Sequence, residues 1–409
     1  MAETKDLRHM RRALELAEKS TGLASPNPPV GCVIVKNGRI VGEGWHEFAQ
    51  RDHAEVQALR AAGNSARGAT VYLTLEPCVH IGRTPPCTPL LVSSGIRRAF
   101  VARGDPNPIV AGKGLEALRA AGIEVHLGLL EEDAGRLIEA FACHVTSGRP
   151  LVVSKVAMSL DGRIAGARTR DGRISCPEAL EFGQSLRLQM DVILVGSGTV
   201  LADDPHLTYR GRRPKARPLH RAILDSMLKT PPRARLLRGA PEIPTLIFCS
   251  PSAPARRRLN LEARGAEVIP VPRGPGGLSL KRVLRVLGKR QLLGVLVEGG
   301  SQVHGSFVAG QLIDKFYFMV APLIIGGEKS PPSVGGTACG SIAGSPRFAI
   351  VRTIQAGSDL ILEAYPRSSR SILSPWRPLQ QKEDKAISHQ PSARPAGGEA
   401  ELPHRRSQS

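Results

Sequence analysis

The sequence predicts two α/β domains in tandem, followed by a tail without regular structure. The chain has 409 residues, more than one typical hydrophobic core accommodates. Short apolar runs of strand character alternate with segments of helical periodicity, a pattern typical of α/β layers. The pattern is interrupted at residues 147–150, Ser-Gly-Arg-Pro, and stops near Pro366. We therefore predict domains over 1–147 and 148–366 and a basic, disordered tail over 367–409.

The first domain opens with an amphipathic helix and then alternates strands and helices. Asn37-Gly38 separates two apolar runs and predicts a hairpin turn, while Gly63 and Gly122 end two helical patterns. The predicted elements are helix Leu7–Ala17, strands Val30–Val35 and Ile40–Trp45, helix His53–Ala62, strand Thr70–Leu75, helix Pro89–Ser94, strand Ala99–Ala102, helix Leu115–Ala120, strand Glu124–Leu127 and a helix ending near Val145.

The second domain repeats the α/β pattern. Segments 209–219 and 227–244 are rich in Pro and Arg and are predicted to be loops. The predicted elements are strand Leu151–Ala157, helix Pro177–Arg187, strands Asp191–Val195, Arg221–Asp225, Thr245–Phe248 and Leu293–Val297, helix Ser301–Ala309 and strand Lys315–Ala321.

The composition is globular, with a strong basic excess. Charged residues make up 22% and hydrophobic residues 41% of the chain, and the formal net charge is +20. Segment 211–290 alone carries 19 Lys or Arg against 4 Asp or Glu. Such a segment suits nucleic acid, a phosphorylated small molecule, a pyrophosphate cofactor or simply a solvated face. Aromatic residues are only 4%, which leaves few stacking surfaces for bases.

Cysteine usage and the absence of apolar spans indicate a compartment. The seven cysteines are odd in number and widely spaced, and the first 19 residues are charged and helical in pattern. No apolar run reaches membrane-spanning length. We expect a cytoplasmic protein without membrane association. Its cysteines are expected to serve as metal ligands rather than to form disulfide bonds.

One split signature carries the most chemical information. His53 and Glu55 stand two residues apart, and they are followed by Cys78, directly after a proline, and by Cys87 after eight intervening residues. One imidazole nitrogen and two thiolates hold a catalytic zinc ion and leave its fourth position open. Glu55 then remains free to shuttle protons. The spacing resembles the H-x-E…P-C…C pattern of zinc-dependent deaminases.

The signature makes a geometric demand. Residues two apart on a regular helix do not face each other, so His53 and Glu55 must lie in the opening turn of a helix. Cys87 precedes Thr88-Pro89, a plausible helix start that stabilises a thiolate. The alternative is a structural zinc site or two unrelated buried cysteines. The upstream His-x-Glu and the proline before Cys78 favour catalysis.

Further motifs around this signature make the resemblance specific. They are Pro26-Asn27-Pro28, Val30-Gly31-Cys32, Val41-Gly42-Glu43-Gly44-x-His46, His53-Ala54-Glu55-Val56, Leu75-Glu76-Pro77-Cys78, Gly82-Arg83-Thr84-Pro85-Pro86-Cys87 and Asp105-Pro106-Asn107-Pro108. Together they resemble the deaminase half of the bifunctional riboflavin-biosynthesis deaminase/reductase family. The resemblance extends from about Lys5 to Pro366.

This resemblance implies a cytidine-deaminase-like α/β/α domain with bound Zn²⁺. Its reaction would be the hydrolytic deamination of 2,5-diamino-6-(5-phosphoribosylamino)pyrimidin-4-one. Substrate contacts are implied for Asn27, His46, Arg83, Asp105 and Asn107. Amide and carboxylate groups suit a pyrimidine edge, and a cation such as Arg83 suits a phosphate. Asn27 and Asn107 also lie in Pro-bracketed turns, where Asn is common for structural reasons.

The second domain resembles the reductase half of the same family. The motifs are Lys155-Val156-Ala157-Met158-Ser159-Leu160-Asp161-Gly162-Arg163, Val195-Gly196-Ser197-Gly198-Thr199-Val200-Leu201-Ala202-Asp203-Asp204-Pro205-x-Leu207-Thr208-x-Arg210, Val297-Glu298-Gly299-Gly300 and Ala321-Pro322-x-Ile324-Ile325-Gly326-Gly327. They imply a dihydrofolate-reductase-like α/β domain that uses NADPH to reduce the ribosyl group to a ribityl chain.

The resemblance also implies two residue sets in the reductase half. Gly299-Gly300 ends a predicted strand and opens a helix, and such a turn presents backbone N–H groups to phosphate. A glycine pair alone is more often just a tight turn, and an isolated Arg more often solvated. The cofactor set is Ala157, Arg173, Thr199, Asp203 and Gly300. The substrate set is Lys155, Arg187, Leu207, Arg210 and Glu298.

Two segments depart from the family pattern. Arg173 stands where the family usually has the Trp of a Ser-x-Trp-Ile-Thr segment. A guanidinium stacks on aromatic faces and pairs with phosphate, so we still expect Arg173 at the cofactor. Residues 48–52 lack the usual Gly-x-Pro before the metal-binding histidine, which predicts an altered loop with the site retained.

Two other functions stay open at this point. A polynucleotide base deaminase would share the zinc signature, but it needs a basic or aromatic groove beside the zinc, and the positive excess lies in the other domain. A non-enzymatic phosphate- or nucleic-acid-binding protein would keep a structural zinc. We expect the bifunctional enzyme, as a homo-oligomer without a nucleic-acid partner.

Overall fold

The computed structural model of the chain describes residues 4–50, 52–80, 85–166, 173–239, 242–336 and 341–367. All of these residues belong to one compact unit. The predicted tail, apart from Arg367, lies outside the described residues. Within the described ranges, no helix combines the length and apolarity needed to cross a bilayer.

The first half of the chain forms a five-stranded sheet with helices on both faces. The elements are α1 (Lys5–Lys19), β1 (Gly31–Lys36), β2 (Arg39–Trp45), α2 (Ala54–Ala62), β3 (Thr70–Leu73), α3 (Cys87–Ser93), β4 (Arg98–Val101), α4 (Lys113–Ala120), β5 (Glu124–Leu127), α5 (Glu131–Leu137) and α6 (Glu139–Ser147), with 3₁₀ turns at Phe48–Gln50 and Gly63–Ala66.

The order of strands in this sheet is β2-β1-β3-β4-β5, antiparallel as far as β3 and parallel from β3 to β5. Side chains alternate between the two faces of β1, so that Ile34 packs with α2, α3 and α4 while Val33 packs with α1. Asn37 and Gly38 both have positive φ, as the predicted hairpin turn requires. These two layers of helices confirm the α/β/α prediction.

The second half forms a nine-stranded mixed sheet and a separate two-stranded sheet. Its elements are β6 (Leu151–Ser159), α7 (Pro177–Gln189), β7 (Val192–Gly196), α8 (Ser197–Asp203), β8 (His220–Leu224), β9 (Thr245–Cys249), α9 (Ala255–Glu262), β10 (Glu267–Pro270), β11 (Arg273–Gly274), β12 (Gly277–Leu278), α10 (Leu280–Lys289), β13 (Gly294–Val297), α11 (Ser301–Ala309), β14 (Lys315–Ala321), β15 (Phe348–Ala356) and β16 (Asp359–Pro366), with a 3₁₀ turn at Arg235–Leu237.

The strand order is β10-β9-β8-β7-β13-β6-β14-β16-β15. All pairs from β10 to β14 are parallel, and the β14–β16–β15 end is antiparallel. The strand ends of β7 and β13 therefore lie at the same edge of the sheet, where ligands of open parallel sheets bind. This sheet and its helices form the second of the two α/β domains that the sequence predicts.

The chain also contains elements that the sequence pattern did not reveal. The motif after β7 suggested a loop, but the chain enters α8 directly at Ser197. Helices α9 and α10 begin with basic residues and have no acidic residue in their first turns. Charge at the N-terminal end therefore works against the helix dipole, and their buried leucines stabilise them by packing on opposite faces of the sheet.

Candidate functional sites

Three ligating side chains converge at the open end of the first sheet. One donor atom from each of His53, Cys78 and Cys87 lies within 4.8 Å of the others. The His53 Nδ1 atom is 3.0 Å from the Cys87 Sγ atom and 3.6 Å from the Cys78 Sγ atom. One nitrogen and two sulfur donors at this spacing fit a zinc ion with an open fourth position.

The structure places His53 and Glu55 at the start of a helix, as the spacing of the signature requires. His53 is the N-cap of α2, so Glu55 lies in the first turn, and the two side chains reach the same cavity. Cys87 is the first residue of α3, and its backbone N–H donates to the Cys78 Sγ atom over 3.3 Å. The pKa of the Cys78 thiol is lowered by the hydrogen bond from the Cys87 thiol and by His53.

Two glycines of β2 bring α2 close to the sheet. A Cβ atom at Gly42 would lie 2.1 Å from the Ala58 carbonyl oxygen, and one at Gly44 would lie 2.1 Å from the Ala54 carbonyl oxygen. Any side chain at either position would push the helix away. The Gly-x-Gly spacing in β2 therefore sets the position of His53 at the helix start.

Glu55 is buried beside the metal cluster. Only 4% of the residue is exposed, and burial raises the pKa of its carboxyl group above the ordinary value. A carboxyl group beside an open metal position can accept a proton and release it again. Glu55 therefore has the position that the predicted proton shuttle needs, and the role itself stays a prediction.

A cavity of about 1100 Å³ extends from this cluster, and Asn27, His46, Asp105 and Asn107 all line it. The His46 Nδ1 atom lies 3.0 Å from the Asp52 carbonyl oxygen, so Nδ1 carries the proton. The Asn27 amide then donates to the His46 Nε2 atom over 2.9 Å, which leaves the Asn27 oxygen free to orient toward a ligand.

The remaining predicted contacts of this half have different outcomes. Burial raises the pKa of Asp105 to about 7, and its Oδ1 atom accepts from the Asn107 backbone N–H over 2.8 Å. Arg83 lies outside the described residues. The 3₁₀ turn Phe48–Gln50 occupies the segment where an altered loop was predicted.

Two cavity residues escaped the sequence analysis. The buried Glu76 carboxylate accepts four backbone N–H bonds of 2.8–3.3 Å and so fixes the loop that carries Asp105. His80 lines the cavity, and its buried Nδ1 atom has no partner among the described residues. Its place two residues after Cys78 was the available signal. The four N–H donors of Glu76, at Asp105, Gly112, Gly114 and Leu115, are too distant in sequence to suggest that role.

The second half contains a separate cavity of about 1510 Å³ at the carboxyl ends of β7 and β13. The Thr199 Oγ1 atom accepts from the Gly300 backbone N–H over 3.1 Å, which joins the starts of α8 and α11. These helix starts point backbone N–H groups at the cavity, as a phosphate-binding edge requires. The predicted residues in its wall are Lys155, Ala157, Arg173, Thr199, Asp203 and Gly300.

Glu298 lies at the centre of a charged cluster with Lys155 and Arg187. The Arg187 Nε and Nη2 atoms donate to its two carboxylate oxygens over 2.7 and 2.9 Å, and the Lys155 Nζ atom lies 3.9 Å away. Burial alone would raise the pKa of Glu298, but Lys155 and Arg187 hold it below the ordinary value. Arg187 also donates to the Thr208 carbonyl oxygen over 2.7 Å, so the N–H groups of its guanidinium bind acceptors within the protein.

The other two substrate residues predicted in this half lie apart from the cavity wall as the described residues define it. Leu207 is buried in the core beside β7 and β8, with a positive φ of 52°. Arg210 is exposed, and its backbone N–H donates to the Gln184 side chain over 2.8 Å. The structure therefore brings together the predicted cofactor residues but not the whole substrate set.

Comparisons with known proteins cover both halves. Residues 3–103 match the cytidine and deoxycytidylate deaminase zinc-binding region, and residues 150–362 match the RibD C-terminal domain. Riboflavin biosynthesis protein RibD of Bacillus amyloliquefaciens is 40% identical over 363 residues, 88% of this chain and 96% of that protein. The protein of the same name from Escherichia coli (strain K12) is 37% identical over 366 residues, 87% of this chain and 97% of that protein.

Solved structures agree with these relatives. Acinetobacter baumannii RibD, form 1, aligns with a TM-score of 0.78 at 36% identity, over 88% of this chain and 99% of that chain. A diaminohydroxyphosphoribosylaminopyrimidine deaminase/5-amino-6-(5-phosphoribosylamino)uracil reductase from Thermotoga maritima aligns with a TM-score of 0.76 at 35% identity, over 88% and 99% of the two chains. Both alignments extend across the two sheets.

Proposed function

The chain belongs to the RibD family, and from that premise we propose which residues carry out each of its two reactions. It is a bifunctional deaminase and reductase of riboflavin biosynthesis. The substrate is a phosphoribosylaminopyrimidine, which is first deaminated and then reduced at the ribosyl group. The closeness of His53, Cys78 and Cys87 beside the buried Glu55 is the observation that carries the deaminase assignment.

In the deaminase half, His53, Cys78 and Cys87 would hold zinc. When bound, zinc supplies a Lewis acid that lowers the pKa of a water molecule towards neutrality. Glu55 would take a proton from the attacking water and deliver it to the ring amine, which leaves as ammonia. Burial raises the pKa of the Glu55 carboxyl group and so favours its protonated form, which supports a role in proton transfer.

The pyrimidine ring would be recognised by the polar groups of the same cavity. We assign this contact to Asn27, His46, Asp105 and Asn107, whose amide, imidazole and carboxyl groups complement the ring edge. The fixed Asn27–His46 hydrogen bond would orient the Asn27 oxygen towards a ring N–H. Arg83 is proposed as a phosphate contact from its motif alone.

In the reductase half, the cavity of about 1510 Å³ would hold NADPH. When bound, NADPH would supply a hydride to the C1′ carbon of the ribosyl group, while the bond from C1′ to the ring oxygen breaks and that oxygen takes up a proton, which leaves an open ribityl chain. We propose that backbone N–H groups at the starts of α8 and α11 contact the pyrophosphate. The residues assigned to the cofactor are Ala157, Arg173, Thr199, Asp203 and Gly300. Those assigned to the substrate are Lys155, Arg187, Leu207, Arg210 and Glu298.

The Lys155–Glu298–Arg187 cluster would hold a cation in place at the cavity wall for the reductase substrate. Lys155 lines the cavity wall while its ammonium group lies 3.9 Å from Glu298. Glu298 is itself held by the two parallel hydrogen bonds from Arg187. This arrangement would present a fixed cation to an anionic or hydroxylated substrate.

Other features of the whole protein are proposals of the same kind. We propose a deaminase domain over 1–147, a reductase domain over 148–366 and a tail over 367–409. The two separate sheets, which end at β5 and begin at β6, support the first boundary. A cytoplasmic location, homo-oligomeric assembly and the absence of a nucleic-acid partner complete the proposal.

A tRNA base deaminase is the alternative, and the family membership of the chain does not favour it. The deciding experiment supplies the phosphoribosylaminopyrimidine and follows ammonia release and NADPH oxidation separately. We expect one ammonia released and one NADPH oxidised per substrate. Ammonia release without NADPH oxidation would overturn the reductase assignment, and deamination of tRNA with neither signal would overturn the whole proposal.

A further inference from the structure

Part of the deaminase cavity is built by residues that no zinc-site motif contains. The wall of the cavity includes Phe141, His144 and Val145 from α6, the helix that leads out of the first half. It also includes Gln291 and Leu293, which lie between α10 and β13 in the second half. The cavity of the first reaction is therefore closed by the domain of the second.

The seam between the halves is held at this wall by one buried carboxylate. The Asp191 Oδ1 atom accepts from the Ser25 hydroxyl over 2.7 Å, and its Oδ2 atom accepts from the Leu293 backbone N–H over 2.6 Å. Ser25 stands two residues before Asn27, on the loop that carries the predicted ring contact. Asp191 thus fixes the ring-binding loop and the 291–293 segment with respect to each other.

Helix α6 is anchored on the reductase sheet by its opposite side. The buried Glu139 carboxylate pairs with the Lys315 ammonium of β14 and accepts from the Tyr365 hydroxyl of β16. Glu139 and His144 stand five residues apart on the helix and so face different directions. The ion pair therefore holds His144 at the cavity wall.

His144 offers a hydrogen-bonding atom that the described protein does not use. Its Nδ1 atom is buried and has no partner among the described residues. Burial lowers the pKa of the His144 imidazole, so the ring is mostly neutral at pH 7 and retains one donor and one acceptor nitrogen. The Nδ1 atom has almost no accessible surface, so the other edge of the ring, which carries Nε2, is the part of His144 that a ligand in the cavity would contact.

We propose that His144 binds the phosphate group of the deaminase substrate. The inference rests on the proposed deaminase function. The metal ligands, Glu55 and the Asn27–His46 pair occupy the part of the cavity where the ring amine must react. The ring carries a long polar substituent, and the wall formed by α6 and the 291–293 segment is a part of the same cavity that contains no predicted ring contact. The second domain then takes part in substrate binding for the first reaction.

The test compares two substrates in two proteins, the full-length wild type and His144→Ala. One substrate is the phosphoribosylaminopyrimidine, and the other is the same ribosylaminopyrimidine without its phosphate. We expect His144→Ala to raise the KM of the phosphorylated substrate by about tenfold, since a hydrogen bond to a charged group is lost. The kcat of ammonia release should change little, and the KM of the dephosphorylated compound should change much less.

Three controls separate this role from a structural one. His126→Ala removes an exposed histidine of the same half and should leave both KM values unchanged. His144→Asn retains a hydrogen-bonding side chain and should recover part of the KM. Reduction of the deaminated intermediate by His144→Ala should equal that of the wild type, which shows that the chain is folded.

Two results would overturn the inference. Equal changes in KM for both substrates would show that His144 does not contact the phosphate-bearing half, and unchanged KM values would show that it does not contact the substrate at all. Wild-type protein that releases no ammonia from either compound would instead overturn the deaminase function itself. If His144→Ala does not fold, His144→Phe, which retains a ring but has no hydrogen-bonding atom, replaces it in the same comparison.

Discussion

The two cavities of this chain differ in how much of each site is already assembled. In the deaminase half, the metal donors lie within 4.8 Å of each other, and each of the described substrate residues lines the same cavity. In the reductase half, the cofactor residues share a cavity, but Arg187 and Glu298 bind each other beside it. The first site has its metal donors and its described ring contacts in one cavity, whereas four of the five substrate residues predicted for the second lie outside the cavity wall.

The physical reason lies in the kind of ligand that each site takes. A zinc ion requires its donors within a few ångströms, so strand ends and helix starts must meet closely, and Gly42 and Gly44 make this approach possible. A dinucleotide is bound largely by backbone groups and helix starts spread along a sheet edge. Buried charges at such an edge pair with one another until a substrate competes for them.

The substitution with the largest expected effect is Glu55→Gln. Loss of a general acid–base group lowers kcat by roughly 10²- to 10⁴-fold, and we expect ammonia release to fall within that range. Zinc content should stay at the wild-type level, because Glu55 is not a metal ligand. Metal analysis and an ammonia assay on the same preparation measure both quantities.

This variant also tests whether the two sites are separate. Reduction of the deaminated intermediate should proceed at the wild-type rate in Glu55→Gln. Zinc loss together with the loss of activity would mean that Glu55 supports the metal site, and the proton-shuttle role would then be wrong.

The next effect concerns the buried ion pairs of the reductase half. Glu298→Gln leaves Lys155 and Arg187 without their buried counter-charge, and we expect a loss of roughly 3 kcal/mol in the free energy of unfolding. NADPH oxidation should fall with it, while ammonia release persists wherever the protein is folded. Denaturant unfolding and the two activity assays measure these changes.

A matched substitution on the surface serves as the control. Glu262→Gln removes an exposed pair with Arg258, and because solvent screens surface pairs, the free energy of unfolding should change little. Equal losses of stability in the two variants would contradict the buried network as the organising feature of the reductase half.

The reductase half should also be sensitive to acid through His304. Burial lowers the pKa of this histidine to about 4, whereas in the unfolded chain the value is near 6.5. Between these values the unfolded chain binds one more proton, so stability falls as the pH falls, by at most ~1.4 kcal/mol per pH unit. Thermal unfolding of wild type and His304→Gln from pH 7 to 4 measures this slope. The slope should be smaller in the variant, and equal slopes would contradict the assignment.

The smallest effect should come from Thr199→Ala, which removes the acceptor for the Gly300 backbone N–H. A neutral hydrogen bond contributes about 1 kcal/mol, so the KM for NADPH should rise about fivefold. Ser306→Ala removes a hydroxyl from the same helix α11, away from the cavity wall, and should leave that KM unchanged. A change in ammonia release with Thr199→Ala would contradict separate sites.

The sequence was sufficient for the features that local rules determine. The helix over Ser301–Ala309 and the strand over Lys315–Ala321 were predicted with the bounds observed, because caps and apolar periodicity define them. The metal cluster was predicted from the spacing of three ligands. By contrast, α8 follows β7 without a loop, since a Gly-rich motif resembles a loop in sequence even where it opens a helix.

Long-range pairings were not accessible from the sequence in the same way. The bidentate pair between Arg187 and Glu298 spans 111 residues, and nothing near either residue indicates its partner. Glu76 is similar, because its partners are backbone N–H groups of a distant loop. The family resemblance assigns Arg187 and Arg210 to the reductase substrate, and these roles stay predictions.

The central claim is that one chain carries two separate sites, a zinc-dependent deaminase and an NADPH-dependent reductase. The most direct measurement divides one preparation, removes zinc from one half with a chelator and assays both halves for ammonia release and for reduction of the deaminated intermediate. We predict that ammonia release is lost and returns when zinc is restored, while NADPH oxidation is unchanged. A parallel loss of NADPH oxidation would contradict the claim, because it would make the reductase depend on the metal site.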